Sequence, residues 1–169
     1  MAKVIPGRYT AQTDQPFVVF LIGMRVNKLR AVRKWLPVAM AMGPMLRELY
    51  AHPEKGFRGA HTFLTGRTIL TVQYWRSFAD LERFARDDAD PHMPAWRRFN
   101  KAVGYKDPAV GIFHESYLVE PGKYETVYGN MPVFGLAAAT THVPARGRLE
   151  TARRRLSGDG EPAVLETVK

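Results

Sequence analysis

The stretch VGIFHESYLV, Val110 to Val119, sets an imidazole and a carboxylate side by side inside a largely apolar run. Histidine titrates closest to neutral pH, so His114 is a candidate for proton-transfer chemistry. If the run is a strand, successive side chains point to opposite faces. His114 then shares a face with Ile112, Ser116 and Leu118, while Glu115 joins Phe113 and Tyr117 on the other. The two are therefore not read as a bonded dyad. A carboxylate among aromatics on a two-sided strand needs a cation or several donors, and Arg25 is the expected partner of Glu115 in a structural ion pair. The structural alternative for His114 is a hydrogen-bonded core histidine.

Three further clusters could position a small molecule. In HMPAWRRF, His92 stands four residues before Trp96 and seven before Phe99, one helical face; the alternative is a capping histidine with packing aromatics. In QYWRS, Tyr74 and Trp75 point to opposite faces, so one can line a cavity while the other packs under helices. YETVYGNM gathers Tyr124, Glu125, Tyr128 and Asn130, a mixture suited to a pocket mouth or to an exposed arm. The chain has no G-x-G-x-x-G, phosphate loop, H-E-x-x-H or G-x-S-x-G, which removes support from nucleotide-driven, zinc-protease and serine-hydrolase chemistry. Zero cysteines remove thiolate nucleophiles and cysteine-held metals.

These residues need elements to hold them. Residues 1 to 16 are polar, with Pro6 and Gly7, and read as an irregular arm. FVVFLIGMRV, apolar on both faces, reads as a strand. Asn27 is placed to cap the following helix, whose face carries Leu29, Val32, Trp35, Leu36 and Ala39. Gly43 and Pro44 interrupt that period, so a kinked or two-piece helix ending near His52 and Pro53 is expected. AHTFLTGRTILTVQYW reads as a hairpin with Gly66 at its turn. Ser77 caps a helix over FADLERFARD with Asp80 three residues on; MPAWRRFNKAVG forms another helical segment. VGIFHESYLV follows, YETVYGNM adds a short fifth strand or arm, and LETARRRL a short helix. The order β, α, β-hairpin, α, β is an α+β, ferredoxin-like split βαβ domain, with both helices on one sheet face. The other face is left bare, and dimerisation is its expected cover. The domain is read as residues 17–136, followed by a partly flexible C-terminal extension, 137–169, with no second domain.

The 169 residues are 46% hydrophobic and 24% charged, a globular profile. The net charge of +9 lies mainly in NKLRAVRK and ARGRLETARRR, without interleaved stacking aromatics, so it reads as solvated surface and no nucleic-acid partner is expected. No apolar run reaches the roughly 18 residues of a membrane span and no signal peptide is evident, so a cytoplasmic protein without a membrane partner is expected.

Taken in order, FLIGMRVNK, KWLPVAMAM, QYWRSFADLERFAR, HMPAWRRF, VGIFHESYLVEPGKYETVYGNMP and FGLAAAT resemble the signature blocks of a small monooxygenase-like family, whose relatives include a monooxygenase of fungal fumagillin biosynthesis. The family is in turn similar to the antibiotic-biosynthesis monooxygenases. The resemblance runs from about Phe17 to Thr140. It implies a dimeric α/β barrel in which two ferredoxin-like protomers pack bare face to bare face, each keeping a pocket between sheet and helices. Two activities follow from it. One is cofactor-independent oxidation of a small apolar or aromatic metabolite, with His114 as base and Tyr74, Trp75, His92, Trp96 and Asn130 around the ring. The other is haem b chemistry, as in barrels that degrade haem or dehydrate aldoximes, with His114 or His92 on the iron. A non-catalytic ligand-binding homodimer is the third reading.

Overall fold

A computed structural model describes residues 2–86, 97, 104 and 106–156. The chain forms two compact units, Phe17–Leu118 and a second built from Met1–Pro16 with Val119–Lys169. Each unit has elements and a packed interior of its own.

The first unit contains β2 (Phe17–Val26), α1 (Val32–Ala51), a 3-10 turn (Pro53–Lys55), β3 (Phe57–Thr65), β4 (Thr68–Trp75), α2 (Phe78–Arg86) and β5 (Val110–Val119). Its sheet has the order β3-β4-β2-β5, the split βαβ arrangement expected from the sequence. β4 runs antiparallel to both β2 and β3. Gly66 at φ 56° makes the tight β3–β4 turn, a conformation glycine adopts without steric cost.

Period-2 alternation decides what each strand buries. Val18 on β2 and Trp75 on β4 pack with Met45 and Leu49 of α1, Leu81 and Phe84 of α2, and Phe57. A second cluster holds Met24, Val26, Ala109 and Val110 beneath Trp35, Val38 and Ala39 of α1. The opposite face carries Val19, Leu21, Leu70, Val72 and Tyr74, none fully buried, with Phe63 and Phe113 exposed.

Phe113 lies over Gly23 on that face. A Cβ at residue 23 would sit 2.5 Å from the Phe113 ring and 2.8 Å from the Ile69 carbonyl oxygen. Gly23→Ala is therefore expected to cost about 1–3 kcal/mol, the usual penalty for overpacking. A urea melt checks it; a change of less than about 0.5 kcal/mol would mean that the ring swings aside freely.

Two local expectations give way to packing. α1 is one continuous helix although Pro37 and Pro44 lie inside it. Trp35 and Val38 on one side of Gly43, and Met45 and Leu49 on the other, all pack onto the sheet, which holds both halves in line. Asn27 does not cap it: the cap position is Ala31, with no side-chain cap bond, and the Asn27 amide donates to the Pro108 carbonyl at 2.9 Å. The Ser77 cap is present. The Asp80 amide donates to Ser77 Oγ at 3.1 Å, and Ser77 Oγ donates to Asp80 Oδ2 at 2.7 Å.

The second unit contains β1 (Ile5–Gln12), β6 (Tyr128–Met131), α3 (Leu136–Ala139), β7 (Thr141–Pro144), a 3-10 turn (Gly147–Leu149) and α4 (Ala152–Leu156). Residues 5–12, read from sequence as arm, are the central strand of the sheet β6-β1-β7. Pro6 and Gly7, which suggested a break, fall where the β1–β6 register shifts, and Gly7 takes φ 108°. The bulge absorbs both residues. The Tyr9 ring stacks on His142 at 4.4 Å, and burial pushes the His142 imidazole below its ordinary range.

Candidate functional site

On the helix-facing side of the first sheet, the two apolar clusters are separated by a polar band. β2 and β4 pair Phe20 with Gln73 and Ile22 with Thr71; β3 adds Thr62 beside Thr71 and Ala60 beside Gln73. Thr71 is 1% exposed and Gln73 4%. The Thr62 and Thr71 hydroxyls bond each other at 3.0 Å. The Trp75 indole N–H donates to Gln73 Oε1 at 2.9 Å. An indole nitrogen is a donor only, so it fixes the amide with Nε2 as the outgoing donor. That nitrogen meets Met42 Sδ of α1 at 3.8 Å, a weak acceptor. A buried amide with its oxygen satisfied and its N–H groups poorly satisfied is suited to holding a ligand oxygen.

His114 belongs to the same side. Val110 and Ile112 pack in the second cluster, so alternation along β5 brings His114 to the helix-facing side. Its ring lies 5.8 Å from Phe20, between centroids, and the residue is exposed. An accessible imidazole thus stands at one end of a row that continues through Ile22, Thr71 and Thr62. Such a row can take a proton from a substrate at one end and hydrogen-bond its oxygens further in.

The other expected site residues are distributed differently. Trp75 is 0% exposed, ringed by Phe57 at 5.5 Å and Phe84 at 5.7 Å, so it is packed core and not a cavity wall. Tyr74 points to the opposite face, in register with Val19. Asn130 lies in the second unit, where at φ 51° its side chain accepts from the Gly7 amide at 3.0 Å and braces the β1 bulge. His92 and Trp96 lie outside the described residues.

The expected Glu115–Arg25 ion pair does not form. Glu115 is exposed and accepts from the Tyr117 hydroxyl, which raises the Tyr117 phenol above its ordinary range, while Arg25 reaches toward Thr68. The reason is register. Gly111 lies against Arg25, and Glu115 is four residues further along β5, roughly 13 Å away. With its carboxylate in solvent, Glu115 needs no buried cation.

The sequence reading passed over Gln73, Thr71 and Thr62, although a signal was present. In TILTVQYW the helix-facing positions are Ile69, Thr71, Gln73 and Trp75, and two consecutive polar residues at inward positions mark a site or a network. Among the described residues, no three His, Asp or Glu side chains gather as a metal centre.

A sheet of order β3-β4-β2-β5 under two helices, with a polar band and an accessible histidine dividing its apolar face, defines an α+β protein of the ferredoxin-like class. Residues 17–136 match the monooxygenase af470-like family, and the chain belongs to that family. It is 26% identical over 151 residues to monooxygenase af470 of Aspergillus fumigatus, a match covering 77% of this chain and 53% of that protein, so the chain spans about half the length of this curated relative. Among solved structures it is similar to an aldoxime dehydratase in complex with butyraldoxime, with a TM-score of 0.56, 16% identity and coverage of 92% of this chain and 44% of that one. It is also similar to SnoaB, a cofactor-independent oxygenase from Streptomyces nogalater, with a TM-score of 0.41, 11% identity and coverage of 62% and 93%. At such identities these likenesses concern the fold alone. No helix among the described residues is long and apolar enough to cross a membrane.

Proposed function

We propose that the protein is a monooxygenase-like oxidoreductase that oxidises a small phenolic or enolic molecule lying across the polar band. Family membership supports this class of chemistry, and the observation that carries the assignment to residues is the division of the apolar face by Thr71, Gln73 and the accessible His114. His114 removes a proton from the substrate carbon next to its carbonyl, and the Gln73 amide holds the oxygen on which negative charge develops. The resulting carbanion gives its electrons to dioxygen and forms a C–O bond. The peroxide anion recovers the proton from the His114 imidazolium, and loss of water leaves a new carbonyl. One dioxygen thus supplies one oxygen atom to product and one to water, with no external reductant. The cell compartment proposed is the cytoplasm.

The working form is proposed as a homodimer joined through the bare sheet face. Its support is the apolar surface of Val19, Leu21, Leu70 and Val72, flanked by the exposed Phe63 and Phe113, a patch that monomers seldom leave in water.

A second reading, a haem-binding barrel, is supported by the overall likeness to the aldoxime dehydratase. Among the described residues His114 would be the one to hold the haem iron, since it is exposed beside Phe20 and near Ile112. Haem would supply redox or Lewis-acid chemistry there. The test is the purified protein's absorbance and its oxygen uptake with polyphenolic substrates. A colourless dimer that consumes oxygen supports the first reading. A Soret band lost in the His114→Ala variant supports the second, and neither signal would leave a ligand-binding dimer.

A further inference from the structure

One end of the first unit gathers basic and apolar side chains from three segments. The loop joining β2 to α1 meets the β3–β4 turn there, where the Val26 amide donates to the Arg67 carbonyl at 2.8 Å. It also meets the chain leading into β5, as the Asn27 and Lys28 amides donate to the Ala109 carbonyl at 3.0 and 3.2 Å. From the make-up of this end we infer a docking surface for the face of a bilayer containing anionic phospholipid. The surface does not depend on the function proposed for the polar band.

Charge selects the partner. The sequence has no Asp or Glu from Phe17 to Arg47, and none from Phe57 to Trp75. The fold brings Lys28, Arg30, Arg33, Lys34, Arg67 and Lys106 to this end, all exposed, against one acidic residue, Asp107, which pairs with Lys34. Six positive charges and one negative leave an excess of five. That excess acts as a summed field, so no single guanidinium has to be unpaired.

Exposed aliphatic side chains stand among these charges. Leu64, beside the turn, is 79% exposed, Leu29 in the loop 54% and Val32 in the first turn of α1 44%. Leu64 pairs with Ile69 across the hairpin, and Ile69 packs toward Trp35 and Val38 of α1. Leu64 therefore lies on the same side of the sheet as the start of α1. A bilayer meets both needs, with anionic headgroups for the cations and hydrocarbon just beneath them for the leucines. A second copy of the chain would set like charge against like charge, and a nucleic acid would offer the aliphatic tips no hydrocarbon to enter. Docking of this kind rests on the surface and needs no membrane-crossing helix.

The test is co-sedimentation of the full chain with vesicles of two parts phosphatidylcholine to one part phosphatidylserine, and with vesicles of phosphatidylcholine alone. Binding is expected to the first and not to the second, and it should weaken as salt rises. Arg30→Gln with Arg33→Gln is expected to weaken it about 25-fold, near fivefold for each cation removed. Leu29→Ser with Leu64→Ser keeps the charge and is expected to weaken it about tenfold or more. Arg153→Gln, exposed on α4 of the second unit, should leave it unchanged. All these side chains are exposed, so urea midpoints should stay near the wild type; if the leucine pair fails to fold, Leu64→Ser alone carries the same comparison. Absence of binding to the phosphatidylserine vesicles overturns the inference, as does equal weakening by Arg153→Gln, which would reduce the effect to diffuse positive charge. Undiminished binding of the leucine variant also overturns it, and capture of a single-stranded oligonucleotide by that variant would assign the surface to a polyanion instead.

Discussion

His114→Ala is expected to lower oxygen-dependent turnover by about 100-fold or more, the usual cost of removing a positioned general base, while leaving the urea midpoint close to the wild type. The two halves of this expectation come from the same geometry. The ring is exposed and lies 5.8 Å from Phe20, so little packing is lost with it. Its place beside the Thr71 and Gln73 rows makes it the only histidine among the described residues on the helix-facing side of this sheet, since His61 pairs with Val72 on the bare face. Measured kinetics should show the loss in kcat more than in KM, because the base acts on the reacting proton and not on the resting substrate. Gln73→Leu, which keeps the volume but removes the amide, should impair both. If His114→Ala turned over at the wild-type rate, proton removal would lie elsewhere; if it lost fold and activity together, the histidine would be a packing residue.

The largest stability effect is expected at Asp80. Its carboxylate is 5% exposed and accepts from Arg76 through Nε at 2.9 Å and a terminal nitrogen at 3.0 Å, from Ser77 at 2.7 Å and from Arg83 at 3.1 Å. Gly56, at φ 85°, leaves the space it occupies: a Cβ there would come within 2.6 Å of the carboxylate. The hydrogen bond from Arg76 is the main cause that lowers the Asp80 carboxyl from 3.8 to about 2. Because the folded value is depressed, the ionised group stabilises the fold above the unfolded value near 4. That contribution is lost as pH falls through about 4 toward 2, and it amounts to roughly 2 kcal/mol. Asp80→Asn is therefore expected to cost about 3 kcal/mol at neutral pH, as breaking a buried ion pair does, and to flatten the acid limb of the stability profile. Urea melts at pH 7, 4 and 2.5 test both; a variant with the wild-type slope below pH 4 would refute the role of the charge.

Much of the first unit was legible locally. FVVFLIGMRV and TILTVQYW are β-rich runs, Gly66 marks a turn that few other residues allow, and Ser77 with Asp80 spells a helix start. Each depends on dihedral preferences and side-chain spacing within about ten residues, and a chain carries that information wherever it folds. The same alternation correctly split His114 from Glu115.

Other features required neighbours distant in sequence. Residues 5–12 became a strand because β6 and β7, more than a hundred residues later, supplied partners on both edges and Asn130 braced the bulge. Arg25 and Glu115 missed each other by a register that neither strand encodes alone. The polar band is a row across four strands, and Trp75 was sealed in core by helices that its strand could not foresee. The amino-acid order thus determined which segments are strands and helices and which side chains share a face. Tertiary packing decided which face is buried and which polar groups meet, because those depend on contacts whose partners lie fifty or more residues away.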